Sequence, residues 1–244
     1  MGTQSTTEDG LETMMQANHL GHFLLTKLLL QKGLLKTTGT ITDPANEPSR
    51  VIILTSSTFR YTASTTGFDF DDPLCSKNHR KYTLFGQYSM TKLANLLTAR
   101  ELARRYNAGR GGTPIDATNS SLAVFAVHPG IVRTNIPSNM TFFYRFFNQA
   151  FGWIVASLQK TPEEGAYSTV YAAATPLGRI PFSTQAGAYV VNCVPDEAGP
   201  YVDGPAGSLD ATRLWEWSEE MVGGGTTPMT KKKPGSSPGE KKEQ

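Results

Sequence analysis

The stretch Val51-Ile-Ile-Leu-Thr55, followed directly by Ser56-Ser57, decides the predicted fold. It is a short, continuous and β-branched apolar run, which is typical of a strand buried on both faces of a parallel sheet. A second run, Leu122-Ala-Val-Phe-Ala-Val127, leads into His128-Pro-Gly130, and a third is Ala188-Tyr-Val-Val191. These runs predict three strands of one sheet.

Helical patterns separate the three strands. Apolar residues recur at helical spacing over residues 10–35, 85–106 and 209–222. Thr161-Pro-Glu-Glu164 places a cap, a proline and two acids at the start of a further helix that ends at Ala174. Residues 58–83 are predicted to be irregular. This alternation predicts an α/β fold of the Rossmann type, with a doubly wound parallel sheet and function at the carboxyl ends of its strands.

Composition limits the kinds of partner. The 244 residues are 39% hydrophobic and 18% charged, which is enough for a packed core. Residues 223–244 carry five Lys and two Glu, so the remaining body has a formal charge of −1 and gives no support for a nucleic-acid partner. We therefore predict one domain over residues 1–222 and a disordered basic tail over residues 223–244.

The sequence also bears on compartment and metal binding. No apolar stretch approaches the roughly 18 residues that a membrane span requires, and the polar start does not resemble a signal peptide. Cys75 and Cys193 lie far apart, which predicts neither a disulfide framework nor a metal site. We expect a cytoplasmic protein with no transmembrane span and no metal.

Tyr88-Ser-Met-Thr-Lys92 is the first candidate for chemistry. Residues four apart share one face of a helix, so the ammonium group of Lys92 should lie near the Tyr88 phenol. A nearby positive charge lowers the pKa of a phenol from about 10, which would make Tyr88 a general acid/base. The alternative is a solvated surface pair.

Three other positions are candidates, each with a simpler structural explanation. Ser57, just past a strand, suits a hydrogen bond to a substrate oxygen, although serine is also a common turn residue. Asn18 lies mid-helix among apolar neighbours, where a side-chain amide needs a partner such as nearby backbone. Pro129-Gly130 at a strand end lets a ligand approach the backbone, or forms a plain turn.

These motifs together resemble the short-chain dehydrogenase/reductase family, and within it the retinol dehydrogenase-like branch. The similarity in order runs from about Glu8 to Val222. The motifs are Asn18-His-Leu-Gly21, Ser56-Ser57, Tyr88-x-x-x-Lys92 and His128-Pro-Gly-Ile-Val-Arg-Thr134.

The resemblance implies an enzyme that transfers hydride between NADP or NAD, with NADP slightly preferred, and a small apolar carbonyl or alcohol substrate. Tyr88 matches the family's acid/base, and Lys92 matches the lysine that lowers its pKa and binds the nicotinamide ribose. Ser57 matches the serine that orients the substrate oxygen, and Asn18 matches the asparagine that holds a relay water. The matches to the loop that holds the nicotinamide carboxamide are Pro129, Gly130, Val132 and Thr134.

The sequence departs from the family pattern in one respect. It contains no Thr-Gly-x-x-x-Gly-x-Gly turn, whose amides hold the cofactor pyrophosphate in that family. We therefore expect an N-terminally truncated Rossmann domain, in which an anchor could also have been lost and the first strand exposes an edge that favours self-association or a homo-oligomer. The alternatives are a catalytically silent fragment with an interaction or regulatory role and, less in keeping with the motifs, a sugar epimerase-like relative.

Overall fold

The computed structural model describes residues 4–37, 39, 43–76, 81–107, 122–132, 159–180 and 186–223. Its first helix begins as α1 (Thr13–Met15), passes through a π-helical segment (Gln16–Leu20) and continues as α2 (Gly21–Gln31). The Glu12 carboxylate caps it by accepting from the amides of Met14 and Met15. The predicted helix over residues 10–35 is therefore present but shorter at both ends.

The remaining elements alternate along the chain much as predicted. They are β1 (Arg50–Leu54), α3 (Phe59–Thr65), α4 (Leu84–Asn107), β2 (Ala123–His128), α5 (Pro162–Ala174), β3 (Ala186–Val191), β4 (Val194–Asp196), α6 (Pro200–Asp203) and α7 (Pro205–Met221). Short 3-10 turns lie at Pro44–Asn46 and Leu177–Arg179.

The four strands of the described residues form one sheet in the order β1-β2-β3-β4, which is parallel except for β4. Every residue of β2 is buried, and alternate residues serve two separate cores. Val124 and Ala126 join the core shared with α4 and α7, whereas Phe125 and Val127 pack with residues of α5. Helices therefore cover both faces, which confirms the doubly wound α/β fold.

The expectation that the first strand is buried on both faces was wrong. Val51, Ile52 and Ile53 are only partly buried, and the Leu54 side chain is 47% exposed. Among the described residues β1 pairs only with β2, so its other edge has no strand partner. An edge position leaves an apolar run partly in contact with solvent.

Sequence patterns also missed elements that depend on tertiary contacts. The segment predicted to be irregular contains α3, which is rich in threonine and is held by the buried side chains of Phe59 and Thr62. The strand β4 is fully exposed and follows a two-residue turn in which Asn192 and Cys193 both have positive φ. Neither segment carries a periodic apolar signal.

Helix α7 begins four residues before the predicted Leu209, at Pro205, because proline suits the first turn of a helix. The aromatic stretch over residues 142–153 and the tail beyond Gly223 lie outside the described residues. Within the part of the chain that the structure describes, no helix is both long and apolar enough to cross a membrane.

Candidate active site

The candidate site lies at the carboxyl ends of β1 and β2. Leu54, the last residue of β1, is paired with Val127 near the end of β2. The two loops that leave this edge carry Ser56-Ser57 and Pro129-Gly130. Helix α4 packs against β1, β2 and β3, so it brings its own side chains to the same edge.

Tyr88 and Lys92 meet on α4, as their spacing predicts. The Lys92 ammonium nitrogen lies 5.5 Å from the centroid of the Tyr88 ring. The same nitrogen donates a hydrogen bond to the Leu54 carbonyl at 3.3 Å, which fixes it at the end of β1. Burial lowers the pKa of Lys92 from its ordinary value of 10.5, because a partly desolvated ammonium loses hydration. The pair is therefore a held arrangement rather than two freely solvated side chains.

Thr55 ties the strand end to the same turn of α4. Its hydroxyl donates to the Lys92 carbonyl at 2.7 Å, and its amide donates to the Val127 carbonyl at 2.8 Å. The residue is buried. One threonine thus connects β1, β2 and α4 at the point from which the Ser56-Ser57 loop departs.

Asn18 approaches α4 from the π-helical segment. Its amide donates to the Thr91 hydroxyl at 3.2 Å, and that hydroxyl donates to the Tyr88 carbonyl at 2.8 Å. Short π-helical segments recur at functional sites, and Asn18 lies within one. Here the Asn18 carbonyl lies 3.3 Å from the His22 ring nitrogen Nδ1. The asparagine is therefore adjacent to the Tyr88–Lys92 turn.

Ser57 is exposed and lies between β1 and α3. Its carbonyl accepts a hydrogen bond from the amide of Arg60 at 3.1 Å. Its hydroxyl makes no hydrogen bond to Tyr88 or Lys92 among the contacts of the described residues. The structure thus brings Ser57 to the same edge of the sheet without joining it to the pair.

The loop after β2 is shaped by Gly130, whose φ of +89° favours glycine. The Gly130 amide donates to the His128 ring nitrogen Nδ1 at 3.3 Å, and the Lys160 side chain covers the space that a Cβ at Gly130 would occupy. Farther along, the Val132 side chain lies directly against Gly165 of α5. Pro129, Gly130 and Val132 thus form a braced turn beside the site, while Thr134 lies outside the described residues.

His128 is a neutral base within this brace. Burial lowers its pKa, and the positive charges of Lys160 and Arg60 lower it further. Its ring stacks on Tyr189 with centroids 6.3 Å apart. Because the Gly130 amide donates to Nδ1, the neutral ring carries its proton on Nε2.

A second set of polar residues lies behind Lys92, and the sequence analysis did not select it. The Asn95 amide nitrogen donates to the Leu54 carbonyl at 3.0 Å, and its oxygen lies 3.3 Å from His19 Nδ1. The other ring nitrogen of His19 lies 2.8 Å from the Ser218 hydroxyl. The available signal was that Asn95 follows Lys92 by one helical turn and, like Asn18, needs a partner inside a helix.

Comparison with known proteins agrees with this fold. The chain is 36% identical to retinol dehydrogenase 14 of Homo sapiens over 220 residues, covering 89% of this chain and 54% of that protein. It is 30% identical over 215 residues to the short-chain dehydrogenase/reductase drtF of Aspergillus calidoustus, covering 88% of this chain and 62% of the relative. No protein-family model matches the chain.

A solved structure shares the fold. The crystal structure of an uncharacterised protein from Mycobacterium paratuberculosis matches with a TM-score of 0.53 and 24% identity, covering 91% of this chain and 62% of the other. The doubly wound sheet, with a Tyr/Lys pair beside its strand ends, defines an α/β protein of the Rossmann type. The relatives make the class more specific: the chain belongs to the short-chain dehydrogenase/reductase family, whose members here are retinol dehydrogenases and other oxidoreductases. It spans about half the length of the curated relatives it matches.

Proposed function

We propose that the protein is an NAD(P)-dependent oxidoreductase that interconverts an alcohol and a carbonyl compound, with Tyr88 as the acid/base. The observation that carries the proposal is the arrangement of Tyr88 and Lys92 at the carboxyl edge of the sheet. Lys92 is held there by the Leu54 carbonyl and lies 5.5 Å from the Tyr88 ring. A cation fixed beside a phenol stabilises the phenolate and suits it to proton transfer.

The donor set at this edge fits the nicotinamide half of the cofactor. Lys92 offers an ammonium group with three N–H donors, one of which is used by Leu54, so others suit ribose hydroxyls. Gly130, with its φ of +89°, shapes the turn beside Lys92, and the Lys160 side chain covers the position of its absent Cβ. In this proposal Pro129, Gly130, Val132 and Thr134 hold the carboxamide, Tyr88 and Lys92 hold the ribose, and NADP is preferred over NAD. The cofactor would supply or accept the hydride.

Each side chain of the site has its own task in this proposal. The Tyr88 hydroxyl gives its proton to the carbonyl oxygen of the substrate, or accepts one from the alcohol in the reverse direction. Ser57 donates a hydrogen bond to that oxygen, and the charge of Lys92 stabilises the phenolate. Asn18, adjacent to this turn through Thr91, holds the water that returns a proton to the site. The similarity to retinol dehydrogenase 14 supports an apolar alcohol or aldehyde as substrate.

Replacement of the tyrosine hydroxyl tests the mechanism. We expect Tyr88→Phe to lower kcat/KM with NADPH and an apolar aldehyde by about 10²–10⁴, because it removes the proton donor and little volume. Tyr106→Phe, at the far end of α4, is the matched control and should retain the activity of the unsubstituted chain. Equal activity of both variants would reject Tyr88 as the acid/base.

Cofactor affinity is a separate test. Because the sequence lacks the glycine-rich pyrophosphate turn, we expect NADPH to bind the 244-residue chain weakly, with a Kd well above the micromolar range. Titration of NADPH fluorescence against the purified chain measures this. A micromolar Kd would contradict the expectation and would require another pyrophosphate site within the chain.

A catalytically silent interaction or regulatory protein is the second candidate. It is favoured by the outer edge of β1, which has no strand partner among the described residues, and by the exposed Leu54 beside it. Such a protein would show no turnover with either cofactor, and Tyr88→Phe would then change nothing. Turnover that depends on Tyr88 excludes this candidate.

A further inference from the structure

We propose that Asn95 is a positioning residue that, with His19 and Ser218 behind it, clamps the end of β1 onto the turn of α4 that carries Lys92. The inference rests on the proposed function for the role of Lys92 in catalysis, whereas the contacts themselves do not depend on it. The contacts that carry it lie in buried regions of the molecule. Asn95, His19 and Ser218 are 6%, 1% and 0% exposed.

The chemistry of the groups fixes the direction of each hydrogen bond. A carbonyl can only accept, so at Leu54 the Asn95 amide group must present its nitrogen. The Asn95 oxygen therefore faces His19 Nδ1, which must carry the proton and donate. In a neutral imidazole the other nitrogen is an acceptor, so Nε2 accepts a hydrogen bond from the Ser218 hydroxyl.

The neutral state of His19 follows from its burial. Desolvation lowers the pKa of His19 to about 4, with only partial compensation from the Asn95 hydrogen bond. The ring is neutral at physiological pH, and its tautomer is fixed by the groups on either side. In this series of hydrogen bonds, from Ser218 through His19 and Asn95 to Leu54, each donor has one acceptor. The Asn95 amide therefore has only one orientation in which both its nitrogen and its oxygen are hydrogen-bonded within the series.

The Leu54 carbonyl is the atom group at which the contacts of Lys92 and Asn95 meet. It has two lone pairs and receives two donors from one turn of α4, the Lys92 ammonium at 3.3 Å and the Asn95 amide at 3.0 Å. Thr55 adds a third bond between the same strand end and the same helical turn. Leu54 as a whole is 47% exposed, so when Asn95 is removed we expect water to replace the lost donor. Asn95 thus fixes the Leu54 carbonyl, which in turn accepts the hydrogen bond that positions Lys92.

The test measures the titration of Lys92 directly and needs no turnover. Trace acetylation of the full chain with acetic anhydride across a range of pH, followed by mass spectrometry, gives the pKa of Lys92. In the unsubstituted chain it should lie below 10.5. In Asn95→Leu the carbonyl and the ammonium move toward water, and we expect the pKa to rise by about half a unit or more.

Thr98→Val is the matched control on the same helix. Thr98 is also buried, and its hydroxyl has no hydrogen-bond partner among the described residues, so its loss should leave the pKa of Lys92 unchanged. If Asn95→Leu does not fold, Ser218→Ala decides, because it releases His19 and should move the Lys92 pKa in the same direction by a smaller amount. An unchanged Lys92 pKa in the folded variants would overturn the proposal. Failure of the proposed function would appear instead as unchanged activity in Tyr88→Phe, whatever the pKa of Lys92.

Discussion

A neutral histidine deep in the molecule makes folding sensitive to acid. His19 lies between two helices, with its ring stacked near Trp217 at 6.4 Å and its two nitrogens bonded to Asn95 and Ser218. Protonation of His19 would place a positive charge in a buried site. It would also put a proton on Nε2, which already accepts a hydrogen bond from the Ser218 hydroxyl. The folded protein therefore resists protonation at this site more than the unfolded chain does.

This residue predicts a window of pH in which stability is lost. The folded pKa is about 4 and the unfolded value 6.5, so as pH falls the unfolded chain binds the proton first. The stabilising contribution of His19 is fully present above pH 6.5 and declines between pH 6.5 and pH 4. Below pH 4 the free energy of unfolding is lower by about 3 kcal/mol. Urea unfolding at several pH values measures the decline.

The exposed neighbour His22 provides the control for that experiment. His22→Gln, one turn farther along the helix, should keep the acid-dependent decline. His19→Gln should reduce it and leave the part that comes from His128, whose pKa burial also lowers. The absolute stability of His19→Gln will be lower, but the comparison concerns the slope with pH. An unchanged slope in His19→Gln would assign the acid sensitivity to other groups.

At the scale of elements, the turn after β2 depends on the helix that packs against it. Lys160 pairs with Val132 in a short parallel bridge, and the capping box of Thr161 and Glu164 then begins α5. The glycine at position 165 allows Val132 to lie directly against the helix backbone. The turn that carries Pro129 and Gly130 is therefore set by the start of α5.

A methyl group at this contact should disturb the turn. Gly165→Ala gains helix propensity, but its Cβ would collide with Val132, and we expect a net loss of about 1–2 kcal/mol in the free energy of unfolding. Val132→Ala makes room for the methyl group. Thermal or urea unfolding of the two single variants and the double variant should show the double variant less destabilised than the sum of its parts. Additive losses would contradict direct packing.

Local signals explain which elements the sequence predicted. The cap at Thr161 and the continuous apolar run of β2 are determined by neighbours in the chain, and both are confirmed. The strand β4 has three exposed residues and exists because its partner β3 is beside it. Asn95 was missed for a similar reason, since its partners come from β1 and from the first helix. Tyr88 and Lys92 were predicted to lie together because one helical turn contains both, and that contact is present.

For the whole molecule, the outer edge of β1 is the feature that most affects behaviour in solution. The described residues supply no strand against this edge, and the exposed Leu54 lies at its end. A free, apolar strand edge is a template for pairing with another chain. A body charge of only −1 opposes such pairing weakly.

We therefore expect the isolated 244-residue chain to self-associate. Size-exclusion chromatography with light scattering should show species larger than 26.5 kDa. Leu54→Lys places a charge at the edge and should shift the distribution toward monomer. Leu209→Lys, at a leucine of α7 that is more exposed than Leu54, should not. A monomeric unsubstituted chain with one cooperative unfolding transition would contradict the expectation.

The pairing of β1 with β2 also determines when the sheet can form. Arg50 is matched to Ala123, so the partners are separated by about seventy residues of chain. During synthesis β1 leaves the ribosome before β2 has been made. Its apolar side chains therefore stay without their native partners until β2 emerges. Pairing across such a distance raises the contact order and slows folding, since loop closure precedes any gain from the contacts. The interval before β2 emerges is therefore the period in which a nascent chain of this protein most needs a chaperone.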